Sequence, residues 1–142
     1  MGANAKMNEF QAAMGICNLR HLPEEIEKRR RAALRYRRHL SGVDGITLCP
    51  EQEGVTHNYA YFPVVFDGYK YTRDEVFSRL AAENIVARKY FYPLTSDFTC
   101  YRDAAAHPTP VAAHVAHNVL TLPLFADLTE ADVDRICKII LG

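Results

Sequence analysis

The sequence predicts an α/β (α+β) fold, a small sheet with helices packed on one side, preceded by two long helices. Three observations predict it. Apolar residues recur at helical spacing from residue 7 to residue 40. Short apolar runs of strand length then alternate with amphipathic segments. Ser/Thr-x-x-acid pairs mark where those segments begin. At 142 residues, 49% hydrophobic and 24% charged, the chain suits one globular core.

Asn8 with Gln11 predicts the start of the first helix, and Met7, Phe10, Met14, Cys17 and His21 share one of its faces. Ala12, Ala13 and Gly15 leave the rest thin, open to close approach by another backbone. Pro23, followed by Glu24, Glu25 and Glu27, opens a second helix. Leu22, Ile26, Ala33, Tyr36 and Leu40 supply its inward face, and Ser41-Gly42 ends it. Strands are expected at 46–50 and 57–66; Pro63 makes the second an edge strand or a bulged one. Thr72 with Glu75 caps a helix that stops near Asn84, and 85–92 reads as strand. Pro108 and Pro110 open a short helix, "VLTLPL" is a strand, and Thr129 with Asp132 caps a last helix carrying Val133, Ile136, Cys137 and Ile140 inward. The predicted division is two leading helices with an interaction face at 1–41, connecting and dimer-interface helices on the family resemblance given below, and a small α/β domain at 42–142.

Seventeen basic and seventeen acidic residues cancel, so charge suggests no nucleic-acid partner. No apolar run approaches the ~20 residues that span a bilayer, and no export signal opens the chain. The four cysteines form no C-x-x-C pair; Cys17 and Cys137 read as small buried hydrophobes, and the expected location is cytoplasmic. The run Lys28, Arg29, Arg30, Arg31, Arg35, Arg37, Arg38 suits a phosphate-tracking helix, but Glu24, Glu25 and Glu27 precede Lys28, Arg29 and Arg31 by four. That favours a solvated, ion-paired face. His107, His114 and His117 lack a good ligand set, so no metal is expected.

No nucleotide-binding, zinc-protease or serine-hydrolase motif is present. The stretch "ARKYFYPL" at 87–94 mixes cations with phenols. Alternation puts Arg88, Tyr90 and Tyr92 on one face and Lys89 and Phe91 on the other. Such a strand is either a half-buried one with snorkelling side chains or a wall for an anionic or sugar ligand. Asn4, in the turn before a helix, suits a phosphate.

Together, Gly2-x-Asn4-x-Lys6-Met7-x-Glu9-Phe10-x-Ala12-Ala13-x-Gly15 with Leu19, then "RRRAALRYRRHL", "RKYFYPL", Tyr101-Arg102 and "VLTLPLFADLTEADVDRI", resemble the DegT/DnrJ/StrS-type sugar aminotransferases. The resemblance covers essentially the whole chain. It implies the C-terminal small domain of a fold-type I, pyridoxal 5'-phosphate-dependent homodimer, with a small, mostly antiparallel sheet. The activity implied is amino transfer, typically from glutamate, to a nucleotide-linked keto sugar, for polysaccharide, lipopolysaccharide or antibiotic sugars. Asn4 is then the residue approaching the cofactor phosphate of the neighbouring subunit. Arg88, Lys89, Tyr90 and Tyr92 fall on the substrate side, with Tyr90, and also Thr95, where many members carry His. The family's Schiff-base lysine lies in Ser-x-x-Lys, and none of Ser41, Ser78 or Ser96 is followed by lysine at that spacing. No catalytic residue is therefore expected here; the chain is expected to be a fragment or truncated gene product, inactive alone. The alternative expectation is a truncated paralogue acting as a dimerisation or interaction module.

Overall fold

The computed structural model describes residues 6–101 and 108–142. Helix α1 (Glu9–Leu40) leads into strands β1 (Ile46–Leu48) and β2 (Phe62–Phe66), helix α2 (Arg73–Ala82) and strand β3 (Arg88–Lys89). Two 3-10 turns, Thr95–Asp97 and Thr99–Tyr101, follow, then helix α3 (Pro110–Asn118), strand β4 (Val119–Leu122) and helix α4 (Glu130–Leu141). The sheet order is β1-β2-β4-β3, every neighbouring pair antiparallel.

Reciprocal capping boxes begin three helices as the sequence predicts. Asn8 accepts from Gln11 N, Thr72 from Glu75 N and Thr129 from Asp132 N, and each acid or amide answers to the cap's own N–H. The two predicted leading helices, however, run as one 32-residue helix with Pro23 inside. Proline removes one i→i−4 bond, to Leu19. Leu19 and Pro23 are both exposed, so water can satisfy the released carbonyl.

Alternation along β2 is clean: Phe62, Val64 and Phe66 are buried while Pro63 and Val65 are half-buried. Their buried face meets Tyr36 and Leu40 of α1, Val76 and Leu80 of α2, Leu120 and Leu122 of β4, and Val133, Ile136 and Ile140 of α4 in one core. Tyr36 stacks on Phe62, centroids 4.9 Å apart, and its hydroxyl donates to Pro123 O at 3.0 Å. Burial pushes that phenol's pKa up and takes the Cys137 thiol to about 12. Cys17, by contrast, is exposed; the first half of α1 has no covering element among the described residues.

Neither alternative expected from Pro63 forms: β2 lies inside the sheet, and its register with β4 runs through Pro63, opposite Thr121, without a bulge. Its pairing with β1 ends at Val64, so Pro63 forfeits no ladder bond on that side. The turn before β1 depends on Gly45, at φ 76°, where a Cβ would lie 2.1 Å from Tyr69 N.

Candidate functional site

The expected strand at 85–92 shrinks to two residues, Arg88 opposite Thr121 and Lys89 opposite Leu120. Phe91, at φ 47°, takes the chain out of extended geometry. Alternation therefore ends at Lys89, and the side chains form a corner instead of two faces. Tyr90 packs between Tyr61, at 5.5 Å, and Phe91, at 4.4 Å. The Lys89 ammonium, expected on the opposite face from Tyr92, lies 5.6 Å from that ring's centre.

The four candidate side chains at this corner differ in what already holds them. Lys89 Nζ is paired with Asp74 Oδ1 at 2.8 Å and lies 5.3 Å from the Phe77 ring centre. This hydrogen bond is the largest of the effects that hold the Asp74 carboxyl below the usual range. Tyr92 lies under the Arg73 guanidinium, 4.6 Å from Cζ to the ring centre, and edge-on to His117 at 5.3 Å. Arg88 is exposed and has no ion-pair or hydrogen-bond partner among the described residues. An open depression of about 380 Å³ beside it is lined by Arg88, Lys89, Phe91, Tyr92, Leu94 and Phe98. A guanidinium at an aromatic, open rim suits a phosphate or carboxylate bound bidentately.

Asn4 lies outside the described residues, as do Arg102 and His107. His114 is paired with Asp67 at 2.9 Å, and His117 Nδ1 donates to Ala113 O at 2.7 Å. Among the described residues no group of three or more His, Cys, Asp or Glu is placed to hold a metal. The basic run of α1 is ion-paired, partly as expected: Lys28 with Glu24 and Glu25 at 3.2 Å, and Arg30 with Glu27 at 3.3 Å. Two of its members are tethers to other elements. Arg35 forks onto Asp134 with two bonds of 2.7 Å, and Arg37 donates to Cys49 O at 2.6 Å.

Arg73 and Asp74 were legible only as the opening of a capped helix. Their place beside the corner comes from β3 folding back along β4, and nothing in the local spacing signals it.

Pyridoxal phosphate chemistry requires a lysine free to form an imine and a carboxylate against the pyridine nitrogen. Lys28, Lys70 and Lys89 are engaged by Glu24 and Glu25, by Leu141 O and by Asp74 respectively, and Lys6 and Lys138 are exposed on helical surface or its approach. The described residues do not assemble that set.

Comparison with known proteins extends these observations. The family model described as the DegT/DnrJ/EryC1/StrS aminotransferase family matches residues 1–141. An Escherichia coli dTDP-4-amino-4,6-dideoxy-D-glucose transaminase is 41% identical over 99% of this chain and 39% of its own length. A UDP-N-acetyl-3-dehydro-alpha-D-glucosamine 3-aminotransferase of Acidithiobacillus ferrooxidans is 33% identical over 99% of this chain and 37% of its own. The crystal structure of DesI with its TDP-sugar product superposes with a TM-score of 0.87 at 33% identity, over 98% of this chain and 36% of that one. The chain thus spans under two fifths of the length of these relatives. With a match from end to end and the same arrangement of helices and antiparallel sheet, this chain belongs to the DegT/DnrJ/EryC1/StrS aminotransferase family.

Proposed function

We propose that this chain is the C-terminal portion of a pyridoxal phosphate-dependent nucleotide-sugar aminotransferase that moves an amino group, from glutamate, to a keto sugar in polysaccharide, lipopolysaccharide or antibiotic sugar assembly. The observation carrying this reading is Arg88, exposed at an aromatic corner with no ion-pair or hydrogen-bond partner among the described residues, in a chain matched from end to end by transaminases of dTDP- and UDP-linked sugars. Arg88, Lys89, Tyr90 and Tyr92 close one side of the sugar-nucleotide pocket, Arg88 supplying the charge for the diphosphate. Asn4 reaches the cofactor phosphate of a homodimer partner. The imine-forming lysine comes from polypeptide outside these residues, so the chain alone does not transaminate.

Two measurements test this. The purified chain mixed with pyridoxal phosphate should give no imine absorbance band; a stoichiometric band that borohydride traps on Lys89 or another amine here would overturn the division of labour. In a full-length enzyme carrying this segment, Arg88→Gln should raise KM for the nucleotide-linked keto sugar and leave the glutamate half-reaction unchanged. Equal kinetics in both half-reactions would remove Arg88 from the site.

A second reading, a truncated paralogue serving as a non-catalytic dimerisation module, draws on the exposed Phe10, Met14 and Leu19 of α1. It predicts a stable complex with a full-length relative that changes no kinetic constant. An upstream reading frame containing Ser-x-x-Lys would favour the first reading.

A further inference from the structure

A buried guanidinium is an expensive way to fill space. Arg73 is 2% exposed, and desolvating a guanidinium is offset only where partners are well placed. Those partners are specific. Nη1 donates to Ala116 O at 3.2 Å, in the last turn of α3, where orphan carbonyls and the helix dipole favour a cation. Nε lies 2.6 Å from Asp74 Oδ1, an ion-pair distance that is not aligned as a hydrogen bond. The flat face of the group covers Tyr92. Asp74 Oδ1 in turn holds Lys89. The head of α2, the end of α3 and the corner after β3 are therefore joined through one side chain.

We propose that Arg73 is a positioning residue for the substrate-side corner: from the head of α2 it clamps the Tyr92 ring directly and Lys89 through Asp74, leaving Arg88 and Tyr90 as the groups presented to an anionic ligand. This rests on the reading of residues 88–92 as the substrate side and divides them by role. Lys89 and Tyr92 are framework. An apolar residue in place of Arg73 would fill the volume, but it could not bind a carbonyl, a carboxylate and a ring face at once. Lysine would keep the charge and lose the flat face and the fork.

The test is nuclear magnetic resonance on the isotopically labelled chain without ligand, with thermal unfolding in parallel. Arg73→Gln should shift and broaden the signals of Arg88 to Tyr92 and of the His117 ring. The signals of Tyr36 and Ile136, in the core between α1 and α4, should stay in place. Tyr92→Phe, which keeps the ring face, should preserve the corner; Tyr92→Leu should release it. Asp74→Asn should move the Lys89 Nζ signal to that of a free surface lysine while the Tyr92 ring stays under Arg73. The proposal is overturned if Arg73→Gln disturbs the core as much as the corner, or leaves the corner unchanged. Should Arg73→Gln not fold, Tyr92→Leu and Asp74→Asn decide the matter, and an unchanged corner in both overturns it. Because no ligand enters these spectra, they judge Arg73 apart from the aminotransferase reading, whose failure would show in the KM of Arg88→Gln.

Discussion

The two halves of α1 obey the same helical spacing and meet opposite fates. In the second half Ala33, Tyr36 and Leu40 are 2%, 0% and 0% exposed. In the first half Phe10, Met14 and Leu19 are 86%, 66% and 64% exposed. Nothing in the periodicity separates them. The difference lies in what returns to cover each. Helix α4 packs along the second half and is pinned there by Arg35 and His39 on Asp134, all three contacts at 2.7 Å. Nothing among the described residues returns to the first half. The interface role proposed for these leading residues would need that stripe.

The comparison is open to experiment. The largest effect belongs to the covered half: Tyr36→Ala should cost about 3–5 kcal/mol of unfolding free energy, from lost contacts and an unpaired Pro123 carbonyl. Denaturant titration of the two chains measures it. Next comes the element that supplies the cover. Thr129→Ala removes the cap of α4 and should cost about 1 kcal/mol, with hydrogen exchange accelerating in α4 and in the second half of α1 more than in the first.

A smaller effect concerns acid. Arg35, as the first cause, and His39 hold the Asp134 carboxyl down from the ordinary 3.8 to about 2. A depressed carboxylate contributes stability that is fully present above its unfolded value and lost as pH falls through its folded one. The window is therefore from about pH 4 down to about pH 2. Between these limits the melting temperature of the native chain should fall more steeply than that of Asp134→Asn; parallel profiles would show that the pair does not anchor α4.

The smallest effect on stability belongs to the uncovered half. Phe10→Ser should change unfolding free energy by no more than about 0.5 kcal/mol, while reducing any concentration-dependent association seen by sedimentation. A large loss of stability in a monomer would mean that the first half of α1 is covered after all.

Much of this fold was legible. The three capping boxes and the inward face of α4 were read from spacing alone, because caps and amphipathic stripes are set by residues three or four apart. The continuity of α1 through Pro23 was not: whether one lost bond breaks a helix depends on whether its freed carbonyl can reach water. Nor was the brevity of β3, where positive φ at Phe91 ends a run whose composition favours extension. At the candidate site, the concentration of cations and phenols at 88–92 was visible, and its internal division was not. Lys89 and Arg88 are adjacent and chemically alike; the approach of Asp74 pairs one, and the other has no partner among the described residues.

Residue order alone was thus enough for the helix caps, for the family motifs and for the lack of an imine-forming Ser-x-x-Lys, since each is written within a few neighbouring positions. Which apolar stripe is buried and which cation is spent came from contacts between distant segments, such as Arg35 and Asp134, 99 positions apart. Burial and ion pairing are properties of pairs, and a linear reading has one member of each pair at a time.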